Sequence, residues 1–196
     1  IESQSWQNDP TETGLILDGN GHTITGLGST GIDHDGVRIS GQSSNVQVKN
    51  LIIKDFKNGI NSIYSDNLTI TGVTVDSASS YAMYIFGNAN VQTATSITGN
   101  TIKNSDQGIR LFDINGFNSC PGNHPFPSSV QIMSNTMNGA GIGLSNSKHV
   151  CIANNTIENT TNSIFVSNQS DYANIDGNTI KNSQSAALYV LSLIHI

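Results

Sequence analysis

Two groups of residues in this chain are of types that do chemistry. The first is compact. In "GIDHDGVR", the carboxylates of Asp33 and Asp35 flank the imidazole of His34, three residues ahead of Arg38. Carboxylates that face one another split their pKa values, leaving one as an acid and the other as a base. Asp33, His34 and Asp35 are therefore candidate catalytic residues, and their types would also suit a metal. The plain alternative is an ordinary turn rich in Asp and Gly. The second group is spread along the chain: Arg38, Tyr84, Arg110, Asp113, His124 and Phe165. Aromatic faces stack on sugar rings, and a guanidinium holds a carboxylate with two parallel hydrogen bonds. Rings and arginines on one surface thus suit an acidic polysaccharide, unless loops cover the rings. Cys120 and Cys151, the two cysteines, permit one disulfide without demanding it, and they lack metal-ligand spacing.

The elements that must position these residues are written in a repeat. "ITGNTIKNSDQGIRLF" (Ile97–Phe112) is nearly repeated as "IDGNTIKNSQSAALYV" (Ile175–Val190), with "IANNTIENTTNSIFV" (Ile152–Val166) between them. Further copies begin at Val48, Ile70 and Ile132, and a less regular one is "LDGNGHTI" (Leu17–Ile24). Each copy contains three short alternating runs punctuated by Gly, Asn and Asp, and none sustains a helical period. A unit this short cannot bury its own apolar face, but stacked units can. The expected fold is all-β: a parallel β-helix of about seven coils, three strands per coil, one strand spacing of about 4.8 Å apart. The rod would span 15–190, with residues 1–14 as a lead-in and an insertion at 113–129.

In this arrangement Ile97, Ile102, Ile109 and Leu111 point inward, as do their equivalents, including Ile60 with Ile63 and Leu188 with Val190. The bend residues Asn50, Gly72, Gly99, Ser134, Asn154 and Gly177 should take positive φ, which Gly and Asn tolerate. Asn100, Asn135, Asn155 and Asn178 should form a hydrogen-bonded ladder between coils. One outward column, Lys54, Asp76, Lys103, Asn138, Glu158 and Lys181, reads as a solvated face. Another, Arg38, Asn61, Tyr84, Arg110, Gly143, Phe165 and Tyr189, gathers the rings and arginines. Cys151 alternates with inward residues and should face outward, where a Cys120–Cys151 disulfide would tie down the insertion.

These units resemble the right-handed parallel β-helix repeats of the pectate-lyase-like superfamily over about Leu15–Val190. "LDGNGHTITG" followed by "NVQVKNLIIKDFKNGI" is similar to the periplasmic carbohydrate-binding and sugar-hydrolase repeat group, which includes a copper-maturation protein of nitrous oxide reductase. "DHD" resembles the Asp-Pro-His-Asp element of β-helix alginate epimerases, with the Pro absent. The resemblance implies a secreted or periplasmic domain, with cell-surface placement left open. Such a domain would bind an acidic polysaccharide and could process it by lyase, hydrolase or epimerase chemistry. The alternatives are a structural or adhesion segment of a larger surface protein and a copper-delivery module. Fold alone does not choose among these.

Composition narrows the field. Net charge is −6 with only 8 Lys and Arg, so no basic stripe is present to neutralise nucleic-acid phosphates. No apolar run approaches the ~20 residues of a membrane-spanning helix. No metal or other cofactor is expected: Met83 and Met137 read as inward, and Met133 has no His in its column. The chain starts at Ile1 and is expected to be a fragment truncated at both ends. Its last six residues, "LSLIHI" (191–196), match the translation of a common sequencing adaptor and are expected to be a non-native tail.

Overall fold

A computed structural model of the chain describes residues 14–28, 34–41, 43–88, 90, 92–116 and 130–191. Its strands form three sheets of seven parallel strands each. One coil comprises the strands Thr95–Thr98, Thr101–Lys103 and Gln107–Phe112, and contributes one strand to each sheet. Coils stack in register. Ile97 pairs with Ile70 below and Ile132 above, and Ile102 lies between Val75 and Met137. Ile109 lies between Met83 and Ile142, and Leu111 between Ile85 and Leu144. All four inward residues are at most 1% exposed. Burying each contributes about 1.5–3 kcal/mol. The parallel β-helix expected from the repeat is the observed fold, and all of its named elements among the described residues are strands.

The bends follow the letters. Asn50, Gly72, Gly99, Ser134, Asn154 and Gly177 all take positive φ, between 51° and 66°. Directly after them stands the asparagine ladder. The Nδ2 of Asn100, Asn135 and Asn155 donates to the Oδ1 of the next asparagine and to an isoleucine carbonyl; Asn135, for example, reaches Asn155 at 3.0 Å and Ile97 at 2.9 Å, while the terminal Asn178 donates to the Ile152 and Asp176 carbonyls. Each Oδ1 also accepts a backbone N–H from the preceding coil, as Asn100 does from Val73. The ladder satisfies the polar groups where the bend interrupts strand pairing. A second left-handed column comes at the next bend: Asp55, Ser77, Asn104, Gly139, Asn159 and Asn182.

The charged column is in register as expected, and its opposite charges pair: Lys54 with Asp76 at 3.7 Å, Lys103 with Asp76 at 3.4 Å, Lys181 with Glu158 at 3.0 Å. Two readings need correction. Ile63 is not inward: the strand Asn58–Ile63 points Ser62 into the core, fully buried, and Ile63 pairs with Phe86 on the outside. The period of two starting at Ile60 reaches Ser62, and the apolar letter next to it misled. Leu188 and Val190 pair with the inward Ile164 and Val166 but remain 48% and 59% exposed, because no described coil covers them. Cys151 takes the outward place expected of it, between Gln131 and Asn174, where it is only 9% exposed and disulfide-bonded. Cys120, the other cysteine of the sequence, lies outside the described residues. The last strand, Ala186–Leu191, includes Leu191, the first residue assigned above to a non-native tail.

Candidate functional site

The third sheet presents the expected outward column in unbroken register: Arg38, Asn61, Tyr84, Arg110, Gly143, Phe165, Tyr189. Arg110 does not stand up from the sheet. Its side chain lies across Gly143, so that a Cβ built on Gly143 would fall on Arg110 Nη1 and Cδ. The guanidinium carbon ends 5.4 Å from the centre of the Phe165 ring. Phe165 in turn stacks on Tyr189, with centroids 5.2 Å apart and 10° between planes. The ring holds the guanidinium in place by a cation–π contact, and its N–H donors suit a planar anion. Beside this stack lies a depression of about 400 Å³, lined by Gln107, Arg110, Gly141, Gly143, Asn162 and Phe165 among others. Its floor is low because Gly108 and Gly141 meet neighbouring backbone directly. A Cβ on Gly108 would strike the Gly141 carbonyl, and one on Gly141 those of Asn162 and Ser163.

Toward the other edge of the sheet, a second outward column runs Ile63, Phe86, Phe112. Phe86 and Phe112 stack at 5.4 Å, and Tyr64 meets Phe86 edge-on at 5.3 Å. Tyr84 joins this group, 6.4 Å from Phe86 and 5.0 Å from Tyr81. Burial raises the Tyr84 phenol above its ordinary pKa, with Tyr81 adding to the effect, so it remains a neutral donor. The rings border a second cleft, of about 950 Å³, whose lining includes Tyr64, Asp66, Phe86, Asn88, Asp113 and Asn146. Burial raises the pKa of Asp66. Asp113, at φ 54°, accepts a hydrogen bond from Asn146 Nδ2.

The structure thus divides the residues singled out in the sequence. Arg110 and Phe165 meet, with Tyr84 beside Arg110 in register. Arg38 is exposed two strands further along the same column. Asp113 belongs to the opposite cleft. His124 and Asp33 lie outside the described residues. His34 is exposed and its carbonyl accepts the Lys57 N–H. Asp35 uses both carboxylate oxygens on amides, from Asn58 and Asn61, each at 2.8 Å. That arrangement anchors two neighbouring strands. The sequence reading missed Tyr64, Tyr81, Phe86 and Phe112. Phe86 and Phe112 could have been found by reading the third strand two residues further, since every second residue faces outward.

Two family models match the chain. Residues 6–124 match one described as "Right handed beta helix region", and residues 89–192 match one described as "Periplasmic copper-binding protein (NosD)". No curated protein and no solved structure matches the chain. The copper named in the second description can be tested against the described residues. They contain no grouping of three His, Cys, Asp or Glu side chains that could hold a metal ion. Met83 and Met137 are fully buried among core residues, Met133 pairs with Thr98 and Ala153, and Cys151 is in a disulfide. These residues do not fit copper, which selects thiolate, thioether and imidazole donors brought together. The coil geometry and the matched models, each covering more than half of the 196 residues, agree: the chain belongs to the right-handed parallel β-helix family and, over its second half, to the family described as NosD.

Proposed function

We propose that this is a periplasmic or secreted β-helix protein that binds an acidic polysaccharide along the outward face of its third sheet. The observation that carries this reading is Arg110 lying across Gly143 onto the Phe165–Tyr189 stack, beside the 400 Å³ depression. The rings offer faces for pyranose units, and the held guanidinium offers its edge to a uronate carboxylate. The outward column also carries Arg38 and Tyr84 along the rod, so that further units of a polymer would meet an arginine and a ring. The periplasmic placement draws its support from the description of the family matched by residues 89–192. Catalysis is left out of the proposal, because Asp35 is committed to Asn58 and Asn61. Copper delivery is not part of the proposal; the described residues hold no grouping of three His, Cys, Asp or Glu side chains for a metal ion.

The test is calorimetric titration with oligogalacturonate, oligoalginate and a neutral cello-oligosaccharide. Binding of at least one uronate oligomer, reduced about tenfold by Arg110→Ala, is expected, that being the usual loss for a charge-assisted hydrogen-bonded contact. Failure to bind any uronate polymer would leave the alternative, a structural segment. An Arg110→Ala/Tyr84→Ala double variant that binds like the wild type would also overturn the reading.

A further inference from the structure

We infer that the cleft at the far edge of the third sheet is a second binding site, one for an organic ammonium group such as the protonated amine of an amino sugar. The inference stands apart from the polysaccharide site, since it uses none of Arg110, Gly143, Phe165 or Tyr189.

Its walls are of one chemical kind. Tyr64 and Phe86 form an edge-to-face pair, and Phe112 extends the wall by stacking on Phe86. Tyr64 is 48% exposed, so its ring is open to a ligand. Ring faces carry negative charge density and attract a cation lying over them. Two carboxylates, Asp66 and Asp113, line the same cleft, and none of its described lining residues is Lys or Arg. Asp113 is held through one oxygen by the Asn146 amide. Asp66 is partly buried, and that burial raises its pKa, with the Thr93 side chain opposing the effect. A further polar group awaits a partner: Ser65 lines the cleft at 3% exposure, and its hydroxyl makes no hydrogen bond among the described residues. The amides of Asn88 and Asn146 complete a rim suited to hydroxyl groups. A uronate would be repelled by both carboxylates. A neutral apolar ligand would cover Asp66 and Ser65 without satisfying them, at a cost. An ammonium group satisfies the carboxylates and the rings at once. Glucosamine is one such ligand, with a ring to stack on Tyr64 and hydroxyls for the rim.

The probe is the fully deacetylated glucosamine tetramer, with the N-acetylglucosamine tetramer as the uncharged control. Binding is followed by NMR shifts of the Tyr64 and Phe86 ring protons and by calorimetry. The deacetylated tetramer should bind, weaken as salt is raised, and lose about tenfold in affinity in Asp66→Asn and in Asp113→Asn. Asn is readily tolerated at positive φ, so Asp113→Asn should keep the fold, which circular dichroism checks. Arg110→Ala should leave this binding unchanged while weakening uronate, so the two readings can fail separately. Equal binding of the acetylated tetramer would show that the charge is not read and would overturn the inference. Absence of binding, or shifts confined to the Phe165 side, would do the same.

Discussion

Arg110 reaches Phe165 across two coils of the rod, and it can do so only because the residue between them is Gly143. Strands about 4.8 Å apart put these two positions nearly 10 Å from one another. An arginine extended along the sheet reaches most of that way and meets the Phe165 ring, provided nothing stands in its path. The glycine therefore serves the arginine rather than its own backbone, which is ordinary strand. The exposed cation–π contact is worth about 0.5–1 kcal/mol, enough to favour one posture of a long side chain.

A Gly143→Ala variant should separate the two roles. The new methyl falls on the far end of a flexible side chain, so Arg110 swings away and the fold hardly suffers. Stability should hold or rise by up to about 0.5–1 kcal/mol, since Ala outperforms Gly inside regular structure. Affinity for oligogalacturonate or oligoalginate should nonetheless fall several-fold, because the guanidinium is no longer held in place. Thermal melts and calorimetry read the two effects independently. Unchanged affinity would mean that the posture of Arg110 does not matter to the ligand.

The asparagine ladder should show a gradient from its middle to its end. Asn135 donates to the Ile97 carbonyl and to Asn155, and accepts from both the backbone and the side chain of Asn100, all while 1% exposed. Asn135→Ala removes four hydrogen bonds and strands buried partners on both sides, at about 1–3 kcal/mol for each unsatisfied group. A total loss on the order of 3–5 kcal/mol is expected. Asn178 lies at the ladder's end and is only half-buried, so water can replace it. Asn178→Ala should cost about 1 kcal/mol. Urea unfolding of the two variants checks the ratio, and equal losses would show that the ladder is not a connected network.

The rod was legible in the sequence because its rules are local and repeated. An inward isoleucine, a small residue at the bend and an asparagine after it recur together, and each follows from one constraint of a short coil. Ile97, Gly99 and Asn100 needed no long-range information. The clefts needed it. Asp113 is three residues after Arg110 in the sequence, yet it stands at the bend that ends the strand, at positive φ, and lines the other cleft. Tyr64 and Tyr81 stand at strand ends, where alternation no longer says which way a ring points. Ile63 shows the limit of reading letters over spacing, for a buried serine held the inward place. Asp35 looked like a catalytic acid because only the fold puts Asn58 and Asn61 within reach of it.

Acid should expose the work of Asp76. Its carboxylate lies between Lys54 and Lys103, on a side chain only 12% exposed. A hydrogen bond from the Asn104 amide is the main cause holding its pKa below 3.8, with Ser77 and Lys103 adding to it and burial opposing. A carboxylate whose pKa is depressed by folding contributes stability above its unfolded value, and loses it as pH falls through its folded value. The contribution should thus be complete above about pH 5 and vanish progressively below about pH 4. Asp66, raised by burial, has the opposite sign: it favours the folded state only when protonated, and its penalty appears as pH rises past the same region. The difference between wild type and Asp76→Asn isolates the first effect. At neutral pH the variant should be the less stable, having left two lysines facing an amide. In urea melts from about pH 7 down to about pH 2.5, the gap should close as Asp76 takes up its proton. A gap that stays constant across that range would mean that the charge of Asp76 contributes nothing and that only its shape is used.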